Sequence, residues 1–251
     1  MGLAVPDSAR TTLIVTACLL LVLGAISNSR AQQPSRDARY PAHWWTPIDD
    51  PKKPEWEILP QEAGPGEVIL SKRNELGLLS NFAPTPFVFH GKKYASLEGF
   101  WQMMKYPEGP NDPRSKFLGI EWKYTRDQVA QMVSFEANKA GALASENMTK
   151  MGITWVSFEG KRFEYKPAVP GEHSKLIVEA TWEKVKQNPE VKKVLLSTGD
   201  LISNPITIKN QTHPQLGITT KSSCRFAASC SSKGNILKSK MSCVARNQNF
   251  I

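Results

Sequence analysis

The chain has 251 residues, 32 Lys and Arg against 23 Asp and Glu, and a formal net charge of +9. That length suits one domain with appendages and is ample for a core. Hydrophobic residues at 40% and charged residues at 22% exclude a disordered or collagen-like chain. No apolar run of about 20 residues occurs beyond the N-terminus, which excludes a polytopic membrane protein. Four Cys are too few for a disulfide scaffold of this size.

A charge of +9 suggests nucleic acid or an anionic surface as partner, but its distribution argues otherwise. Residues 1–31 carry +1, residues 203–251 carry +7 with no Asp or Glu, and residues 32–202 carry only +1. Cysteine divides the same way: Cys18 lies in the first segment, and Cys224, Cys230 and Cys243 lie in the last. The body is nearly neutral and free of Cys.

In chain order, Arg10 precedes the apolar run Leu13–Ile26, and Ser29-Arg30-Ala31 offers small residues at a cleavage site. This pattern predicts a secretory signal cleaved after Ala31 and a secreted or periplasmic product. The alternative is an uncleaved anchoring helix, for which the run falls short of the roughly 17 residues a span needs. Residues 32–66 are rich in Pro, with Trp44, Trp45 and Trp56 interspersed, and read as an extended arm lying on the domain surface. Glu67–Leu70 reads as a short strand. Pro86–His90, Gly91 and Lys92–Tyr94 read as a hairpin.

Ser96 is placed to cap a helix through Lys105, with Glu98 in its first turn. Thr125 and Gln128 form a capping-box pair, and Ser134 is placed to cap a helix over 135–150 that ends at Gly152. Ile153–Tyr165 alternates apolar and polar residues around Glu159-Gly160, a second hairpin. Ser174–Asn188 and Pro189–Ser197 read as amphipathic helices. The order predicts an α+β or mainly α fold: a single helical domain with short β-hairpins, over residues 67–202.

Chemistry concentrates on the helix after the first hairpin. Glu98, Gln102 and Lys105 are spaced i, i+4, i+7 and share one face, bordered by Trp101. Leu97, Phe100 and Met104 form the apolar face. A carboxylate, an amide, a lysine and an indole on one stripe suit recognition of a base and work on a sugar. The plainer alternative is a solvated charged face with an incidental Glu/Lys pair. Just upstream, Ser80 and Asn81 place two hydrogen-bonding side chains between Leu79 and Phe82, and a ligand-free Asx or ST turn is the alternative there.

The stretch from Ile69 to Arg114 resembles the signature of the NADAR family, which includes bacterial N-glycosidases of riboflavin-pathway intermediates. The resemblance rests on Leu79, Ser80, Asn81, Phe82, Phe87, Gly91, Tyr94, Ser96, Glu98, Gln102 and Lys105. It continues at Gly141, Asn188, Pro189, Leu195, Leu196, Thr198 and Gly199, and spans residues 40–202. It implies hydrolysis of an N-glycosidic bond between ribose and a nitrogen base, with ADP-ribose on guanine bases or phosphorylated riboflavin intermediates as substrates. It implies Glu98 and Lys105 as catalytic residues. For substrate binding it implies Ser80, Asn81, Phe82, Trp101, Gln102, Arg114, His173 and Asp200. On this reading Trp101 stacks on the base and Lys105 or Arg114 neutralises a phosphate. No metal, redox cofactor or obligate protein partner is implied, nor stable membrane insertion after cleavage. The partner is a small nucleotide-sugar or an ADP-ribosylated base. Asn138 departs from the family pattern, where Lys is usual, and His173 falls near a family Trp.

Beyond Ile202 the resemblance stops. The codons allowed for Ser203–Gln211, shifted one base upstream, permit Leu-Lys-Pro-Asp-His-Tyr-Gln-Glu-Pro, which resembles the close of this family branch. Residues 203–251 therefore read as an out-of-frame basic tail. Two other readings remain: a catalytically impaired nucleotide- or ADP-ribose-binding module of the family, and a secreted basic protein whose tail binds acidic surfaces.

Overall fold

Local backbone chemistry sets most element boundaries. The computed structural model describes residues 38–165 and 171–204. Strand β1 (Glu67–Ile69) follows the arm. The first hairpin pairs β2 (Phe87–Phe89) antiparallel with β3 (Lys92–Tyr94), and the second pairs β4 (Trp155–Phe158) with β5 (Lys161–Glu164). Each closes through two residues with positive φ, His90-Gly91 at 47° and 74° and Glu159-Gly160 at 49° and 76°, as a primed two-residue turn demands.

Helix α1 spans Leu97–Met103. The Ser96 hydroxyl accepts from the Gly99 amide at 2.9 Å and donates to the Met132 carbonyl, so the cap also ties α1 to its neighbour. Helix α2 (Arg126–Ala130) opens with the expected Thr125/Gln128 capping box. Helices α3 (Ser134–Lys150), α4 (Glu172–Gln187) and α5 (Pro189–Ser197) follow, the last with Pro at its first turn. Strand β6 (Ile202–Asn204) returns to pair parallel with β1. Helix dominates, and the fold is α+β with short hairpins.

Several expectations are corrected. Helix α1 ends at Met103, and Lys105 sits in a tighter turn with its amide on the Gln102 carbonyl. Ser134 does not cap α3. It is the first helical residue, with φ of +52°, and its amide donates to the Phe82 carbonyl, tying the helix start to the Ser80–Phe82 loop. Residues Ser203 and Asn204 belong to the fold. The Leu70 backbone amide donates to the Asn204 backbone carbonyl at 2.8 Å, and Asn204 Nδ2 donates to the Glu67 carboxylate. The signal segment at 1–31 and the frame reading beyond Asn204 lie outside the described residues. Among the described residues no helix is long and apolar enough to cross a membrane.

Two apolar cores form. One surrounds α1 and takes side chains from both hairpins, α3 and α4. The second joins β1, α5 and the arm, whose Trp44 and Trp45 are buried. Trp45 Nε1 donates to the Glu67 carbonyl and Trp44 Nε1 to Glu75, so each indole buries its ring while its polar atom keeps a partner.

Candidate functional site

Helix α1 is buried on every side, which decides between the two readings of its polar stripe. Glu98, Gln102 and Lys105 are 5%, 2% and 3% exposed, so the stripe is enclosed and not a solvated face. A helix that is apolar all round needs no such groups, and burying a carboxylate costs several kcal/mol unless partners offset it.

Those partners are few. Gln102 Nε2 donates to Glu98 Oε1 at 2.7 Å, the i, i+4 contact that the spacing predicts, and Asn138 Nδ2 from α3 approaches the same oxygen at 3.4 Å. No hydrogen bond reaches Glu98 Oε2 from the described residues. Burial raises the Glu98 pKa above the usual carboxylate range, opposed by the Gln102 and Asn138 amides and by the charges of Lys105 and Lys72. Three buried polar atoms have no hydrogen-bond partner among the described residues: Asn81 Oδ1, Gln102 Oε1 and His173 Nε2. Native cores rarely leave such groups unmet, and each instance calls for an explanation.

Backbone and ring contacts tie the residues that carry these atoms to α1. The Asn81 carbonyl accepts from the Glu98 amide at 3.0 Å, fixing the loop against the first turn of α1. The Ser80 hydroxyl accepts from the Phe82 amide, so the ST turn does form. The Ser80 carbonyl accepts from Lys184 Nζ at 2.7 Å. Lys184 is fully buried in α4, and burial pushes its pKa down to about 7. His173, at the other end of α4, stacks on Trp101 with ring centres 4.6 Å apart and planes 20° apart. Burial lowers the His173 pKa to about 4, so its imidazole is neutral. One face of Trp101 is thereby covered by His173 and not open to a base.

Gly141 on α3 completes the wall. A Cβ there would lie 1.7 Å from Gln102 Oε1, so only glycine lets the carboxamide pass beside α3. Tyr165 closes the side beyond Lys105. Burial raises its pKa to about 12, the Ser145 hydroxyl opposes this, and the Glu98 charge adds to it.

The other expected residues fall elsewhere or are already engaged. Lys105 Nζ donates to the Gly141 carbonyl at 3.2 Å and the Ser145 hydroxyl at 2.9 Å, and lies 5.0 Å from the Tyr165 ring centre. Arg114 is wholly buried. Its donors reach Asp112, the Met104 and Lys105 carbonyls, and Ser157. Every N–H of the guanidinium is used, so Arg114 has none left for a phosphate. Asp200 is exposed and held by Arg39 and Tyr40 of the arm, not by any other expected site residue. Phe82 is half-buried at the rim, its ring edge-on to Phe135 at 5.3 Å.

Lys184 is a further buried charged residue beside the Ser80–Phe82 loop, and helical periodicity marks it. His173, Ile177, Ala180 and Lys184 recur at i, i+4, i+7 and i+11, and all four are buried, so Lys184 lies on the inward stripe of α4. Among the described residues no cluster of three His, Cys, Asp or Glu side chains is arranged to hold a metal. Comparison of the chain with protein-family models, with curated proteins and with solved structures finds no match.

Proposed function

We propose that the chain hydrolyses an N-glycosidic bond between ribose and a nitrogen base, in ADP-ribosylated bases or phosphorylated ribosyl intermediates. The resemblance to the NADAR family supplies the reaction class. One observation supports it physically: an enclosed carboxylate sits on a helix whose own Gln102 and whose backbone neighbour Asn81 carry buried acceptors that lack donors. Glu98 Oε2, Asn81 Oδ1 and Gln102 Oε1 all accept hydrogen bonds and receive none from the described residues. The hydroxyls of a ribose are donors of the required kind.

The chemistry follows from those groups. The bond from C1′ to the base nitrogen breaks, and its electron pair leaves with the nitrogen. Positive charge develops on C1′ and the ring oxygen, where ionised Glu98 stabilises it. Glu98 takes a proton from the water whose oxygen bonds to C1′, and that proton then passes to the departing base nitrogen, which returns Glu98 to its ionised form. A pKa raised by burial suits this role, because a base works best when its pKa approaches the working pH. The Gln102 and Asn138 amides on Oε1 orient the carboxylate and leave Oε2 for the water.

The test measures release of free ADP-ribose from ADP-ribosylated guanine in DNA, and of ribose 5-phosphate from a phosphorylated riboflavin intermediate. The wild-type chain should release one of them, and Glu98→Gln should lower that rate by about 10²- to 10⁴-fold. Absence of release from both substrates would overturn the enzyme reading and favour a binding module.

A further inference from the structure

With Arg114 and Lys105 held by the protein, the buried site lacks a cation for a phosphorylated ligand, and the rim supplies one. Lys72 is an exposed residue between β1 and the turn at Glu75–Leu79. Its ammonium lies 4.0 Å from the Phe135 ring centre and 4.3 Å from that of Phe82. Aromatic faces at these distances attract and orient a cation without using its N–H donors. The neighbouring Arg73 shows the contrast. It pairs with Asp50 at 2.9 Å and Glu57 at 3.0 Å, which engages the nearby carboxylates. No described residue forms a hydrogen bond or ion pair with the Lys72 ammonium.

The two rings also fix where that ammonium stands. Phe82 follows Asn81, whose carbonyl holds the Glu98 amide. Phe135 lies one turn before Asn138, whose amide approaches Glu98 Oε1, and residues three apart share a helix face. Each segment thus ties one residue to Glu98, Asn81 through its backbone and Asn138 through its side chain, and sets a ring against Lys72. The backbone of Lys72 also packs closely on the Glu75–Leu79 turn, since a Cβ on Gly77 would lie 2.9 Å from the Lys72 Cα. Electrostatics agree: partial burial lowers the Lys72 pKa, and the Glu98 charge opposes the shift, so the two groups feel each other.

We propose that the Lys72 ammonium, held between Phe82 and Phe135, binds the phosphate of a phosphorylated ribosyl ligand whose sugar rests against Glu98. The inference builds on the ribosyl reading of the Glu98 site and makes Lys72 its determinant for phosphorylated ligands. An ammonium with three available donors suits a phosphate as a charge-assisted partner.

Calorimetric titration of the full chain with ribose 5-phosphate, ribose and inorganic phosphate tests it. Wild type should bind ribose 5-phosphate more tightly than ribose, and added salt should narrow the gap. Lys72→Gln should weaken ribose 5-phosphate by about tenfold or more while leaving ribose unchanged, and Lys72→Arg should restore most of the loss. Equal binding of ribose 5-phosphate by wild type and Lys72→Gln would overturn the proposal. So would a parallel loss for ribose, which marks a structural role. Lys72-dependent binding of inorganic phosphate with no contribution from the sugar would support the phosphate site and reject the ribosyl reading instead.

Discussion

Two buried polar clusters flank α1, and they are built on opposite principles. At the end of the helix, Arg114 engages every donor with Asp112, two carbonyls and Ser157. Arg126 beside it donates to the Met103, Tyr106 and Ser157 carbonyls. Around Glu98, the carboxylate has two amides on one oxygen, while Asn81, Gln102 and His173 each leave a buried atom unmet. Burial is similar in the two places, and satisfaction is not. A satisfied buried charge holds the fold together and offers a ligand nothing. An unsatisfied one lowers stability in the free protein and recovers it when a ligand supplies the missing partners.

The largest expected contrast is in activity. Glu98→Gln should reduce turnover by about 10²- to 10⁴-fold while the melting temperature at pH 7 stays level or rises, because a buried charge is removed. The sign follows from the raised pKa of Glu98. Its folded form favours the proton, so the stability it contributes is present below the ordinary carboxylate pKa and is lost as pH rises through the folded value. Wild type should therefore lose stability across that window relative to Glu98→Gln, as melting curves against pH would record. Asp112 behaves oppositely. Burial raises its pKa, but the Arg114 hydrogen bond and the backbone amides of Glu108 and Arg114 outweigh that and lower it to about 2. Its contribution is present above the ordinary value and disappears as pH falls toward 2.

Next in size is the scaffold cluster. Arg114→Met leaves Asp112 without its cation and takes a donor from three carbonyl or hydroxyl acceptors, and should cost about 3–5 kcal/mol in denaturant titration. Retention of full stability would contradict the structural role assigned to Arg114. A smaller effect is expected from Gly141→Ala, whose new methyl meets Gln102 Oε1. Displacing the carboxamide should cost about 1–3 kcal/mol and reduce turnover by tenfold or more, measured by melting and steady-state rates together. The smallest change belongs to His173→Phe. The stack on Trp101 survives and an unmet nitrogen disappears, so stability should hold and ligand affinity should fall by less than about tenfold. With the His173 pKa near 4, its titration should leave no step in the rate profile between pH 6 and 8.

Much of this is legible in the sequence, because local rules carry it. Ser96, Thr125 and the His90-Gly91 and Glu159-Gly160 turns are short-range signals, and the structure obeys them. The i, i+4 spacing of Glu98 and Gln102 likewise became a 2.7 Å contact. What escaped depends on segments distant in sequence. Whether the Glu98 stripe faced water or core depends on α3 and α4, which periodicity within α1 cannot report. Arg114 looked like a phosphate ligand because its partners at Met104, Lys105 and Ser157 come from separate elements. Lys72 passed unnoticed because Phe82 and Phe135, the rings that hold it, are more than fifty residues apart. Pairing of β6 with β1 across the chain was hidden for the same reason.

The difference between the two clusters can be read directly by side-chain NMR. Ribose 5-phosphate is titrated into Glu98→Gln, and the carboxamide resonances of Asn81 and Gln102 are followed together with the Nε–H of Arg114. Saturable shifts at Asn81 and Gln102, with Arg114 unmoved, are the predicted result. Unchanged Asn81 and Gln102 signals at saturating sugar phosphate would contradict the claim that the unmet atoms around Glu98 form a ligand site.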